Sequence, residues 1–304
     1  MPAWSQRAMT GSGSIFSAGF PSTQGGILGV RPFVIRVEEE MTSGRRALKF
    51  IAIIIFGCLA VSRVWGDASK LPVKQGEKIA FLGDSITQGG NRKSGYVTLV
   101  MEALNHEGLK LSHVPAGVSG DRSKDMLARL DRDVISKKPG WVFLSCGVND
   151  VWHFTLKLGN RAFQGIPLED YQQNVRAIVG QAQAASIKIM ILTSTMIGED
   201  LEKETNKKLI PYNDFPREFA KENELPLADL NREMQDQLKT IPYVAGKALM
   251  FGEPKYDRKI QNKLTTDGCH MNKLGNIMMA KGILKSLGLS PAKISEAEER
   301  WLDE

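Results

Sequence analysis

"WVFLSCG", residues 141–147, is an almost unbroken apolar run that stops at Gly147. A strand with one wet face alternates polar and apolar residues. A run without alternation marks a strand covered on both faces, the habit of parallel sheets flanked by helices. Four more short stretches read as strands: "KIAFLG" (78–83), "LSHVPAG" (111–117), "KIMILTS" (188–194) and "LPLADL" (225–230). Helical spacing lies between them. Tyr96, Leu99, Val100, Ala103 and Leu104 share a face over 94–108, as do Met126, Leu127, Leu130 and Val134 over 122–136. Helices are also predicted over 168–185, over 212–224 despite Pro216, and over 273–288. Strands alternating with helices imply an α/β class, a doubly wound sheet of five parallel strands in one domain. The less regular segments 151–167, 196–209 and 239–266 follow strand C-terminal ends, where open α/β sheets place their ligands.

Bulk properties narrow the function classes. An apolar fraction of 42% and a charged fraction of 24% are ordinary for a soluble globular chain. Part of the net charge of +6 is local, because 33 basic face 30 acidic residues after position 67. No run of Lys or Arg with interleaved aromatics occurs, so no nucleic-acid partner is expected. The three cysteines, Cys58, Cys146 and Cys269, are too few for a disulfide scaffold and lack zinc-site spacing.

The N-terminal segment reads as an export signal. Arg45, Arg46 and Lys49 precede a mostly apolar stretch from Phe50 to Val61, with Gly66 and Ala68 at −3 and −1 of a cut before Ser69. That stretch is short for a bilayer core of about 30 Å but suits a signal peptide. A cut before Asp67 and a buried helix are the alternatives. Residues 1–40 then form a non-native or disordered extension, 41–68 the signal peptide beginning at Met41, and 69–304 the functional domain. The expected location is periplasmic or extracellular. "IFGC" weakly resembles a lipoprotein box, so a membrane is a partner only if Cys58 carries lipid.

Chemistry gathers at four places. In "FLGDSITQG" (81–89) a strand ends at Gly83 and Asp84-Ser85 follows, which taken alone is also an ordinary helix cap. In "PAGVSGDRS" (115–123), Gly117 and Gly120 let the backbone turn sharply or approach a ligand closely, and a peptide N–H exposed there can serve as an oxyanion donor, although loop glycines usually just make turns. In "SCGVND" (145–150), Asn149 on a strand tip can donate an amide that never titrates away. In "DGCHMN" (267–272), Asp267 and His270 stand three apart, so the carboxylate can hold Nδ1 and leave Nε2 free. Nucleophile, oxyanion donors, base and base-orienter are the parts needed for acyl transfer.

In order, "GDSITQG", "GVSGDRS", "GVND" and "DGCHMN" resemble the blocks of the SGNH hydrolases, the GDSL-type esterases and lipases, across roughly residues 76–290. The resemblance implies a flavodoxin-like three-layer α/β/α sandwich around five parallel strands and no metal or organic cofactor. It implies Ser85 as nucleophile, Gly120, Asn149 and the Ser85 N–H as oxyanion donors, and Asp267 with His270 completing a triad. Ile86 stands where the namesake leucine would be, and Pro115-Ala116 replaces the usual asparagine before the second block.

The reading is a serine esterase acting through an acyl-enzyme on small acyl groups, acetyl first, on carbohydrate. Lysophospholipid or other lipid esters and thioesters are the alternatives within the fold. A non-catalytic carbohydrate-binding protein is the alternative outside it. Trp152 and His153 are expected to line the substrate pocket, and Asp84 and Asp150 to brace loops through backbone N–H groups. Cys269 is expected as a packing residue, with a Cys146–Cys269 bridge left open.

Overall fold

The computed structural model describes residues 71–158, 160–241 and 262–303. The expected extension, the signal segment with Cys58, and most of the 239–266 loop lie outside the described residues.

Five strands form one parallel sheet: β1 (Lys78–Gly83), β2 (Ser112–Gly117), β3 (Trp141–Ser145), β6 (Lys188–Leu192) and β7 (Leu227–Ala228), ordered β2-β1-β3-β6-β7. Two-residue strands β4 (Lys157–Leu158) and β5 (Arg161–Ala162) pair antiparallel in the segment read as irregular. Helices cover both faces. On one, α2 (Tyr96–His106), α7 (Leu230–Thr240), α8 (Lys273–Ser286) and α9 (Pro291–Asp303) pack together. On the other lie α3 (Ser123–Asp133), α5 (Leu168–Ala184) and α6 (Glu204–Glu222). This is the flavodoxin-like sandwich, and its strand order reverses at β1, between β2 and β3.

All five residues of β3 are buried, as its unalternating sequence requires. Phe81 at the sheet centre meets the rings of Tyr96 and Phe143 edge-on, at 6.2 and 5.1 Å between centroids. Each buried side chain of this size contributes about 1.5–3 kcal/mol, which fixes the helices to the sheet. The register then aligns the strand ends: Gly83 pairs with Gly117, and Leu82 with Leu144.

Two short helices grow from those ends, α1 (Ser85–Gly90) after β1 and α4 (Val148–Trp152) after β3. Asn149 therefore sits in the first turn of α4, because β3 ends at Ser145 and not at a longer tip. Helix α6 starts eight residues before its expected position and contains Pro211 and Pro216. Each proline forfeits a backbone hydrogen bond. Burial offsets that loss: Phe215 and Phe219 stack at 5.4 Å beneath the Arg176 guanidinium.

Gly117 is where β2 and α1 touch. A Cβ there would lie 2.3 Å from the backbone N of Gln88. Gly117→Ala should therefore push α1 off the sheet. We expect a stability loss of about 1–3 kcal/mol in urea unfolding, as for overpacked cores, together with loss of esterase activity. Wild-type values for both would show that α1 can yield freely.

Candidate functional site

Asp84 caps α1, its Oδ1 accepting the Ile86 N–H at 2.8 Å. The cap places Ser85 at the helix start, directly past the end of β1 and at the sheet's switch point. A Cβ on Gly83 would lie 2.0 Å from Thr87 Oγ1, so only glycine permits the helix to leave the strand this closely.

His270 meets this serine from 185 residues away, with Nε2 at 2.8 Å from Ser85 Oγ. Its Nδ1 lies 2.7 Å from Asp267 Oδ2. Asp267 Oδ1 also accepts the backbone N–H groups of His270 and Cys269, at 2.8 and 3.0 Å. One carboxylate therefore shapes the turn and orients the ring. Burial pushes Asp267 upward, but the hydrogen bonds from His270 outweigh it and hold the carboxyl below its usual range. The same Asp267 contact raises His270 above 6.5, against the opposing pull of burial.

The second and third blocks are tied to the strand end before Ser85 and to each other, although Gly120 and Asn149 are not among the residues that line the cleft over it. Gly83 O accepts Val118 N–H at 3.0 Å and the Arg129 guanidinium at 2.9 Å, and Arg129 also grips Asp121 at 2.5 Å. The 118–122 loop is thereby tied to the strand end that carries Ser85. Gly120 in this loop has φ +84° and open space where a Cβ would be. Asn149 is buried and donates one amide hydrogen to Asp121 O at 3.0 Å. Asp150 accepts from the Ser123 N–H at 3.1 Å and the Ser123 hydroxyl at 2.5 Å, bracing α4 against the start of α3. Burial raises both Asp84 and Asp150 to about 6.

A cleft of about 480 Å³ opens over Ser85 and His270, lined also by Gln88, Arg92, Lys93, Ser119 and Asn276. Trp152 and His153 are not among its lining residues. They close α4 facing inward, where His153 packs on Phe163 at 5.0 Å and burial lowers its pKa to about 4. That makes His153 a poor second base. Cys146 and Cys269 are both buried free thiols, so no bridge joins them. Burial pushes both thiols well above their usual range, which removes them as nucleophiles. Among the described residues no His, Cys, Asp and Glu cluster could hold a metal.

One residue of consequence escaped the sequence reading. Glu199, buried in the loop after β6, accepts the N–H groups of Lys263, Leu264 and Thr265 at 2.7–2.8 Å and the Thr265 hydroxyl at 2.8 Å. Gly198 N–H donates to Gly268 O at 2.7 Å beside it. These bonds anchor the loop that delivers Asp267 and His270. In Glu199→Gln the amide would face the Lys263 N–H donor to donor, a loss on the order of 1–3 kcal/mol. We expect kcat to fall about tenfold with little change in KM, and the pH midpoint to drift toward that of free histidine as the Asp267 contact loosens. Unchanged kcat and midpoint would make Glu199 a purely structural residue.

The geometry is matched by known proteins. The model of the GDSL-like lipase/acylhydrolase family matches residues 81–276. An acetylxylan esterase of Geobacillus stearothermophilus is 26% identical over 231 residues, 72% of this chain and 97% of that protein, and its crystal structure superposes with a TM-score of 0.59. The crystal structure of the acetyl xylan esterase AlAXEase is 31% identical, with a TM-score of 0.59 over 69% of this chain and 98% of that one. Esterase TesA of Pseudomonas aeruginosa is 29% identical over 143 residues, 46% of this chain and 63% of that protein. Sheet order, strand-end residues and the extent of these matches lead to one conclusion: the chain belongs to the GDSL-like lipase/acylhydrolase family and is a serine carboxylic-ester hydrolase.

Proposed function

We propose that the enzyme removes acetyl groups from carbohydrate, with Ser85 as nucleophile and His270 as its base. The observation that carries this is the unbroken line from Asp267 through His270 to Ser85, at 2.7 and 2.8 Å. Ser85 Oγ attacks the ester carbonyl carbon while its proton passes to Nε2. Asp267 stabilises the imidazolium without taking its proton. The oxyanion is received by the N–H groups of Ser85 and Gly120 and by the second amide hydrogen of Asn149. His270 then protonates the leaving sugar hydroxyl, and an acetyl-Ser85 intermediate remains. Water, deprotonated by His270, attacks that carbonyl and releases acetate and free Ser85.

Two features support a small acyl group on a polar carrier. Ile86 and Met271 are the only apolar side chains among the described lining residues, whereas Gln88, Arg92, Lys93, Ser119 and Asn276 offer polar contacts. Two of the relatives that span most of this chain's length are acetylxylan esterases. An acyl chain of many carbons would need an apolar trough in place of these side chains.

The test is hydrolysis of acetylated xylo-oligosaccharides beside a series of 4-nitrophenyl esters of increasing chain length. Acetyl should lead, and Ser85→Ala should fold normally and lose activity to below about 1% of wild type, since removing the nucleophile leaves only oxyanion and binding contributions. Activity needs neutral His270. Because Asp267 raises the histidine's pKa, activity should be lost as pH falls through a midpoint above 6.5. A preference for long acyl chains would favour the lipid reading, and an active Ser85→Ala would refute the nucleophile.

We also propose that residues 41–68 direct export and that 69–304 form the working enzyme. Support comes from the basic start, the short apolar core and the small residues before Ser69. Mass spectrometry of protein from its native host should find a mature N-terminus near Ser69. Residues 1–40 on the mature chain would refute that start, and diacylglycerol on Cys58 would point to a lipoprotein.

A further inference from the structure

The turn between α1 and α2 lines the cleft together with the 266–271 loop, and it brings two cations, Arg92 and Lys93, to the cleft that holds Ser85 and His270. Arg92 is unusual in this protein. Among arginines whose side chains are described, Arg122, Arg129, Arg132, Arg217, Arg232 and Arg300 each pair with a carboxylate. Arg176 lies over the Phe215 and Phe219 rings. Arg92 alone is committed to neither, and Lys93 has no ion-pair partner among the described residues. Both side chains are exposed.

The freedom of these side chains does not come from a loose backbone. Arg92 N–H donates to Gly89 O at 3.0 Å, and Arg92 O accepts Gly95 N–H at 2.9 Å and the Thr98 hydroxyl at 2.9 Å. Asn91 Nδ2 donates to Thr87 O at 3.0 Å. A Cβ on Gly95 would lie 2.4 Å from Gly90 O, so the turn is closed tightly on itself. Ser94 takes φ 59° to complete it, a strained conformation for a residue with a side chain. A fixed turn therefore holds two uncommitted cations at the mouth of the site. The one carboxylate among the described lining residues, Asp267, is occupied by His270 and the backbone.

We propose that Arg92 and Lys93 form a subsite for a carboxylate borne by the carbohydrate, so that the preferred substrate is an acetylated oligosaccharide with a uronic acid near the esterified sugar. This rests on the carbohydrate-ester reading above. A neutral sugar would leave both charges unanswered, whereas a carboxylate fits the guanidinium fork with two parallel hydrogen bonds and takes a third contact from the ammonium. The charge of Arg92 also reaches His270, where it adds a smaller opposition to protonation after the Asp267 contact, burial and Asp84. An anion seated on Arg92 would weaken that opposition, so substrate charge and base strength are coupled.

The experiment compares kcat/KM for acetylated xylo-oligosaccharides with and without a glucuronosyl branch, at low ionic strength, for the wild type and for Arg92→Gln/Lys93→Gln. The acidic substrate should lead by about three- to tenfold, chiefly through KM, as two exposed ion pairs would give. The lead should vanish in the double variant and in roughly 0.5 M NaCl, where exposed charges are screened. Arg92→Lys should keep part of it, through charge without the fork. Separately, Arg92→Gln should move the pH midpoint of kcat/KM on the neutral substrate upward, because a charge opposing His270 protonation is gone. Equal kcat/KM for both substrates, or a lead that survives in the double variant, overturns the subsite while the esterase reading stands. No turnover of either acetylated carbohydrate, with 4-nitrophenyl acetate still hydrolysed, overturns the carbohydrate reading and the subsite with it.

Discussion

The carbonyl of Gly83 is the joint on which the site depends. It ends β1 and accepts both the Val118 N–H and the Arg129 guanidinium, so the strand carrying Ser85 and the loop carrying Gly120 share one atom. The parallel register makes this possible. With Gly83 opposite Gly117 and Leu82 opposite Leu144, three strands stop at one level and their following segments must meet. Reversal of strand order at β1 then opens a crevice there instead of closing it with a crossover helix.

The sheet cannot place the histidine in the same way. Among the described residues no strand of the sheet leads into the 262–270 loop, and ordering such a segment costs about 1–2 kcal/mol per residue in backbone entropy. The compensation is a dense set of local bonds: Glu199 from one side, Gly198 to Gly268, and an isolated pairing of Thr265 with Met271. Asp267 adds the final constraint by bonding the turn's own N–H groups as well as the ring. The nucleophile is fixed by the hydrophobic core that holds β1 and α1, and its base by a polar network centred on the buried Glu199 and on Asp267.

This division explains what could be read in advance. β1 appears at the expected residues, and the five strands and the expected helices other than α6 lie within a few residues of their expected bounds, because burial on both faces writes itself into composition. Helices α1 and α4 are six and five residues long, too short to show a period, so the sequence alone puts Asn149 on a strand tip. Helix α9 did carry a signal, with Ser290-Pro291 at its start and Ile294, Ala297 and Trp301 buried along one face. Glu199 carried none, since its acceptors' partners lie 64 to 66 residues further on and any surface glutamate looks the same in sequence. Trp152 and His153 adjoin Asn149 in sequence, but the helical turn of α4 directs them inward, so proximity in the chain misled.

The site's carboxylates were equally alike in sequence, and their surroundings separate them. Asp84 and Asp150, enclosed by protein, are raised to about 6 by burial even though each accepts N–H bonds. Asp267 is also partly enclosed, but it faces an imidazole that becomes a cation during the reaction, and it is held low. The distinction is functional: a carboxyl that must stabilise a transient positive charge has to remain ionised when that charge appears. His270 feels both ends of this arrangement. Asp267 raises its proton affinity and burial opposes that rise, with Asp84 adding to the first and Arg92 a smaller share to the second, so the strength of the base is set mainly by how firmly Asp267 is held against a half-buried ring.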